Sequence, residues 1–385
     1  MPPAVKPELI LLNAESLRDV RARLSAHDPV LQPALDRLLR DAAIALMVPP
    51  TSVMDKEKTP PSGDKHDYMS YGPYWWPDPK KKNGLPYVRR DGEVNPEVQN
   101  GAASDFPRMR GMANSVETLA LAFHFTGEEI YAAHAAVLLR TWYLDPATRM
   151  KPNLDFGQAI PGISVGRGIG IIDSICLLRI PDATILLRTS LSWTAPDQQG
   201  LREWFATYLD WLLTSKNGRE EAATKNNHGT FFDAQVAAFA LYTGQPEIAR
   251  QILEAAKAKR VAHQIQPDGR QPEELARTNS FSYSCMNLDG LLTLGALGRP
   301  VGVDLLHYAT PDGRSIRRAL DYVMQYSDPA KRWPDQQINS YRPTDLHRTA
   351  LRAAALYQDD GLLKLAEKLN GPQQQQDRLH LQLNR

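Results

Sequence analysis

One pattern recurs along this chain and leaves few folds open to it: an apolar Ala- and Leu-rich stretch, a break, and a second amphipathic stretch. Residues 116–123 and 236–242 are such apolar stretches, closed by Thr126-Gly127 and Thr243-Gly244. Glycine suits the left-handed position that follows a helix, and the flanking text lacks the alternation of strands. A second helical stretch follows at once, over 128–139 in one case and 246–258 in the other. Each pair reads as a helical hairpin with a short loop. Comparable junctions at Pro181-Asp182, Gly298-Arg299-Pro300 and Asp360-Gly361 space the breaks 55–62 residues apart. Helix pairs of that period stack side by side, either as an open solenoid or as a closed ring. Divergent repeats and long loops favour closure. The expected fold is all-α, an incomplete (α/α) toroid of helical hairpins, with residues 1–385 forming a single domain.

Residues 49–107 break the pattern. Ten of the 29 prolines lie there, beside Tyr68, Tyr71, Tyr74, Trp75, Trp76, Tyr87 and Phe106. A loop well beyond about 15 residues is usually functional or disordered, and the aromatic content argues against disorder. The segment is expected to be a lid. Its rings either clamp it onto the helices or offer flat faces to sugar C–H surfaces. Tyr74, Trp75 and Trp76 are the candidate platforms. The polar run Gln373–Gln376 opens an expected flexible tail over 372–385.

Composition removes several function classes. Lys and Arg number 45 against 44 Asp and Glu, a formal net charge of +1, so the basic excess of a nucleic-acid binder is missing. No apolar run approaches the roughly 18 residues of a membrane span. The two cysteines, Cys176 and Cys285, read as free thiols, with a single disulfide as the alternative. Met1-Pro2-Pro3-Ala4-Val5-Lys6 lacks the layout of a signal peptide, which leaves a cytoplasmic protein or a chain beginning at its mature end.

Two clusters carry possible chemistry. The first is Lys225-Asn226-Asn227-His228-Gly229-Thr230 at the mouth of an apolar helix. Asn226, Asn227 or Thr230 would serve as its cap. Two amides and an imidazole aimed at one spot would also receive a carboxylate. The second runs from Asp268 to Tyr283. Arg277 and Tyr283 stand six residues apart, so a turn would bring both to one cleft. Alternatively, Arg277 pairs with Glu273 or Glu274, and Tyr283 is an interior ring.

Asn226-Asn227-His228-Gly229, followed by Glu274-Leu275-Ala276-Arg277 and Tyr283, resembles the alginate-lyase superfamily of polysaccharide lyases. So do the lid sequence from Tyr68 to Pro79 and the stretch from Asn153 to Gly162. The lid is closer to the branch that cleaves glucuronan and alginate than to the periplasmic mannuronan lyases. The resemblance covers roughly residues 60–345. It implies an α/α toroid and β-elimination of 1,4-linked uronic acid polymers, leaving 4,5-unsaturated ends. Asn227, His228 and Arg277 would neutralise the substrate carboxylate, and Tyr283 would protonate the O4 leaving group. Tyr283 doubles as base where H5 and O4 share a face, as in mannuronate or glucuronate; His228 takes that role for guluronate. Gln158 and Arg167 match family positions that bind sugar hydroxyls or a neighbouring carboxylate.

The expected partner is therefore an acidic polysaccharide, with no nucleic acid and no membrane. No cofactor and no metal is expected, since spaced carboxylates or paired His and Cys are lacking. A polymer-degrading family implies a periplasmic or secreted location. Two rivals remain at this level. An inverting glycoside hydrolase would draw two carboxyl groups from Asp67, Asp155, Asp173, Asp233 and Glu273; a helical-repeat binding protein would need no chemistry at all.

Overall fold

The structure is a computed structural model that describes residues 9–99 and 101–383. The start at Met1–Lys6 and the last two residues of the expected tail lie outside the described residues. The helices in chain order are α1 (Ala14–Ser25), α2 (Gln32–Leu46), α3 (Phe106–Thr126), α4 (Glu129–Leu139) and α5 (Ile180–Leu186). Then come α6 (Ala195–Thr214), α7 (Lys216–Ala222), α8 (Asn227–Tyr242), α9 (Pro246–Ala256) and α10 (Pro272–Leu275). The chain continues with α11 (Ser280–Gly298), α12 (Ile316–Met324), α13 (His347–Tyr357) and α14 (Asp360–Lys368). Four short strands, β1 (Met69–Tyr71), β2 (Trp75–Trp76), β3 (Val88–Arg89) and β4 (Phe156–Ala159), accompany them. The chain divides into two compact units, one of residues up to Ile44 with Lys225 onward, the other of Ala45–Thr224.

In the first of these units α8 is the central helix. It is buried on nearly every side, with Phe231, Phe232, Val236 and Phe239 packed together with the alanines between them. A helix of that kind is stable only when neighbours cover every face; α9 and α11 both pack on it. Gly290 of α11 permits the close approach, since a Cβ there would come 2.9 Å from Thr230 Cγ2. Between α8 and α9, Gly244 takes the left-handed conformation at φ +79°. α9 is amphipathic, burying Ala249, Leu253 and Ala256, and then widens into a π turn over Lys257–Ala262. Such turns shift the helix register. Here the turn holds Arg260, almost wholly buried, against Asp233 of α8 at 2.7 and 3.1 Å.

That ion pair sets a stability prediction. Arg260→Met leaves the Asp233 carboxylate buried without its partner, which costs about 3–5 kcal/mol when a buried pair is broken from one side. Urea denaturation should show the loss, and Asp233→Leu in the same chain should recover part of it. Equal stability of Arg260→Met and wild type would contradict this role.

The second unit holds the long segment before α3. A buried ammonium secures it: Lys56 Nζ donates to the carbonyls of Val53 and Lys65 at 2.7 and 2.6 Å and pairs with Asp105 at 2.9 Å. Asp105 also accepts from the Met69 amide and directly precedes α3. The segment is therefore tied to a helix by a fully desolvated charge pair rather than by apolar contact alone. β1 runs parallel to β4, and β2 pairs antiparallel with β3. α3 leads to α4 through Gly127 at φ +76°, whose N–H returns to Phe123 O. Trp204, Phe205 and Tyr208 of α6 cluster with Tyr143.

The all-α class and the hairpins at 126, 243 and 360 match expectation. The other two junctions differ. At 181 a 3-10 stretch, Gly168–Arg179, runs straight into α5 with Pro181 in its first turn. At 299 a 3-10 turn leads to Gly302, and the next helix begins only at Ile316. The expected flexible tail also differs, because Leu379 and Leu381 are buried and Asp377 pairs with Arg348. Both cysteines are free thiols. No helix among the described residues is long and apolar enough to cross a membrane.

Candidate functional site

Asn226, Asn227 and His228 stand where α8 begins. Asn226 is the cap, its side-chain oxygen accepting from the His228 amide at 3.2 Å. That fixes which of the three capping candidates caps, and it leaves Asn227 to a different partner. Fully buried, Asn227 donates its backbone N–H to Glu274 Oε1 at 2.6 Å and its side-chain Nδ2 to Glu274 Oε2 at 2.7 Å. Its Oδ1 is enclosed and has no hydrogen-bond partner among the described residues. Glu274 lies on α10, also almost fully buried. Burial pushes its carboxyl above the usual carboxylate range, against the pull of the two Asn227 hydrogen bonds and of nearby Arg277 and His228.

Arg277 follows one turn later, and its backbone N–H donates to Glu274 O at 3.1 Å. Its guanidinium donates to the Tyr283 hydroxyl at 2.8 Å and lies over the same ring, 3.9 Å from the centroid. This is an edge-and-face grip of one arginine on one tyrosine, stronger than either contact alone. Both side chains are half-buried, open to a ligand yet partly shielded from water. Asn227, His228, Arg277 and Tyr283 thus belong to one unit, on the mouth of α8 and the turn before and within α11.

Two supports hold this arrangement. A belt of buried amides joins the helix mouth to α11: Asn287 donates to Gln264 and Gln271, Thr230 donates to Gln264, and Gln264 donates to the Asn226 carbonyl. A strap over residues 333–341 then closes on the turn between Arg277 and Tyr283. Its contacts include Ser280 N to Gln336 O, Ile338 N to Thr278 O, and Asn339 N to Asn279 Oδ1, each at 3.0 Å. Phe281 stacks on Tyr341 and meets Trp333 edge-on. Rings on both sides of Phe281 keep the turn from swinging.

The other five candidates lie in the second unit. Asp173, buried, accepts from Tyr68 Oη, Ser70 Oγ and Gln158 Nε2 at 3.0, 2.6 and 2.8 Å. Gln158 is held at φ +47°, a left-handed conformation that costs a non-glycine residue energy and is found at functional positions. Arg167 donates Nε to the Gln158 carbonyl at 2.8 Å and a terminal N–H to its Oε1 at 3.2 Å. Arg167 makes no ion pair among the described residues, and burial pushes its guanidinium down to about 10. An oriented, partly desolvated arginine of this kind suits an anionic group. Gly72 leaves it room, since a Cβ there would fall 2.8 Å from the Arg167 guanidinium.

The aromatic candidates are more engaged. Trp76 donates its indole N–H to Glu93 O, and Arg90 covers its ring at 5.0 Å. The Trp75 carbonyl accepts from Asn95, and its ring edges against Gly72. Tyr74 accepts from the Arg90 amide through its carbonyl. All three remain half-buried, with packing claiming one face of Trp76 at least. Among the described residues no group of three or more His, Cys, Asp and Glu side chains is placed to hold a metal ion.

Sequence reasoning missed Glu274 and Asp173 as organisers of the site. Glu274 was visible only as a pairing partner for Arg277, and Asp173 only as one carboxyl among several. A buried acid next to amides carries no spacing signal of its own.

The family model described as alginate lyase matches residues 52–333. A search of curated protein sequences found no match. Among solved structures, an alginate lyase from Bacteroides ovatus is 39% identical, covering 98% of this chain and 99% of that one with a TM-score of 0.92. Alginate lyase A1-III from Sphingomonas species A1 is 16% identical, covering 98% of both chains with a TM-score of 0.57. A variant of A1-III in complex with a tetrasaccharide is 14% identical at the same coverage, with a TM-score of 0.58. The last two speak for the fold alone.

Proposed function

The chain belongs to the alginate lyase family, and from that premise we propose that it cleaves alginate by metal-independent β-elimination using Asn227, His228, Arg277 and Tyr283. It is a polysaccharide lyase, a carbon–oxygen lyase, and the α/α-toroid fold class read from the hairpins comes with the family. The lyase assignment displaces the two rivals. Of the hydrolase candidates, Asp173 and Asp233 are bound up in buried hydrogen bonds.

The chemistry follows from what the substrate resists. The proton on C5 of a uronate is weakly acidic because the adjacent carboxylate is already anionic, and further charge there is unfavourable. Arg277 offers a permanent charge and a planar fork for that carboxylate, and the mouth of α8 adds the Asn227 amide and His228. Preorganised donors of this kind are worth about 2.7–4 kcal/mol each. Acting as a phenolate beside the Arg277 guanidinium, Tyr283 takes the C5 proton, the C4–C5 double bond forms as the C4–O4 bond breaks, and the electron pair leaving with O4 receives that proton back from the Tyr283 hydroxyl so formed. Where H5 and O4 share a face, one tyrosine serves both steps. His228 as base with Tyr283 as acid is the division suited to guluronate.

One observation carries this reading: the 2.8 Å bond from Arg277 to the Tyr283 hydroxyl, with the guanidinium over the ring. It presents a neutralising charge and a proton-transfer group as one rigid pair. Gln158 and Arg167 are proposed to bind sugar hydroxyls or a further carboxylate, and Tyr74, Trp75 and Trp76 to flank the polymer. Glucuronan is a second proposed substrate, since glucuronate shares the same-face geometry. A polymer met outside the cell implies a periplasmic or secreted working location.

The test is ultraviolet absorbance over time with polymannuronate, polyguluronate and polyglucuronate, with a metal chelator present. The unsaturated uronate end absorbs, and hydrolysis does not produce it. A rise on polymannuronate despite the chelator is expected. A rise that disappears with the chelator would overturn metal independence.

A further inference from the structure

Glu274 takes no part in the chemistry proposed above, yet both of its carboxylate oxygens are committed beside it. Its carboxylate accepts the backbone N–H and the side-chain Nδ2 of one residue, Asn227, at 2.6 and 2.7 Å. Its own carbonyl accepts the Arg277 N–H at 3.1 Å. One residue on the four-residue α10 therefore touches both arms of the carboxylate receptor, the amide through its side chain and the arginine through its backbone.

An asparagine amide has two faces that differ in chemistry: its nitrogen donates and its oxygen accepts. Only one roll of Asn227 serves a receptor for an anion, the one that keeps Nδ2 available. Asn227 Oδ1 is enclosed and has no hydrogen-bond partner among the described residues, so no bond on the oxygen side holds the amide in that roll. The clamp on the nitrogen side does. A carboxylate, which only accepts, excludes the flipped amide because oxygen would face oxygen. One Nδ2 proton is used in the clamp, and the second, on a fully buried side chain, has no partner among the described residues.

The arrangement also has a cost that a purely structural residue would not carry. An acid buried among the groups that receive the substrate carboxylate opposes that carboxylate. His228 on α8, Arg277 beyond α10 and the Asn227 amide face it and offset the repulsion.

We propose that Glu274 is a positioning residue for elimination, holding the Asn227 amide in the roll that donates to the uronate carboxylate. The inference rests on the lyase reading. It goes beyond it by assigning the orientation of one donor to a residue that never meets the substrate.

Glu274→Gln keeps the volume and removes the charge, but presents an NH2 group to one of the two Asn227 donors. The expected result is a kcat lower by roughly 10- to 100-fold, less than the loss for deleting a donor outright, with KM unchanged or lower because an opposing charge has gone. Combined with Asn227→Ala, it should add nothing to the loss of Asn227→Ala alone, since the residue it positions is absent. A structural role would instead give additive losses. Denaturation midpoints check that each variant folds. Should Glu274→Gln not fold, Glu274→Asp retains the charge with a shorter reach and should show the same dependence on Asn227. Wild-type kcat in a folded variant, or additivity with Asn227→Ala, overturns the proposal while leaving the lyase intact. A silent wild type on alginate overturns the lyase reading and this proposal with it.

Discussion

Tyr283→Phe should abolish turnover while leaving polymer binding in place. The substitution removes one oxygen, the atom that accepts the 2.8 Å hydrogen bond from Arg277. The ring stays, and with it the stacked guanidinium at 3.9 Å, so the fold and the carboxylate receptor are spared. General acid–base groups contribute about 10²–10⁴-fold each, and here one hydroxyl is assigned both proton transfers. The expected loss in kcat is therefore at the upper end, roughly ten-thousand-fold. Binding of a mannuronate oligomer by calorimetry should change little, because the hydroxyl acts on the leaving oxygen and the C5 proton rather than on the resting polymer. Near-normal turnover in Tyr283→Phe would refute the assignment outright, whatever the family.

Arg277→Lys tests the other half of the pair. Lysine keeps the charge but has neither the planar fork nor a flat face to lay on the Tyr283 ring. If charge alone neutralised the uronate carboxylate, the variant would work nearly as well as the wild type. The geometry predicts otherwise, since Arg277 must hold Tyr283 and meet the carboxylate together. The expected loss in kcat/KM is roughly 10²–10³-fold, the scale of removing one preorganised donor. Arg277→Ala should fall further, and a denaturation curve separates both from misfolding. A lysine variant within a few-fold of wild type would show that the pair is incidental.

How much of this was legible beforehand depends on where the information lies. Hairpins closed by Thr126-Gly127 and Thr243-Gly244 were readable because a glycine at positive φ is a local requirement. The junction at Pro181 was misleading, because proline in the first turn of a helix marks a start as readily as a break. The docking of Leu379 and Leu381 was hidden behind the polar run before them. Among the candidate site residues, Asn227, His228, Arg277 and Tyr283 were singled out through short motifs. Glu274 was not found as Asn227's partner, because 47 residues separate them and only folding sets a carboxylate against that amide. The same holds for the strap at 333–341, which reaches Thr278 and Ser280 from more than fifty positions away and contains no motif. Asp173 is more distant still from Tyr68 and Ser70. Short local motifs were legible; the buried acids that folding sets against them were not.

A lyase breaks the glycosidic bond by elimination and not by water. Digestion of alginate in water enriched in oxygen-18, with the products weighed by mass spectrometry, tests it most directly. Elimination predicts oligomers with an unsaturated end, lighter by one water than hydrolysis products, and no heavy oxygen gained in bond cleavage. Saturated oligomers, with one heavy oxygen for each bond cleaved, would contradict the account.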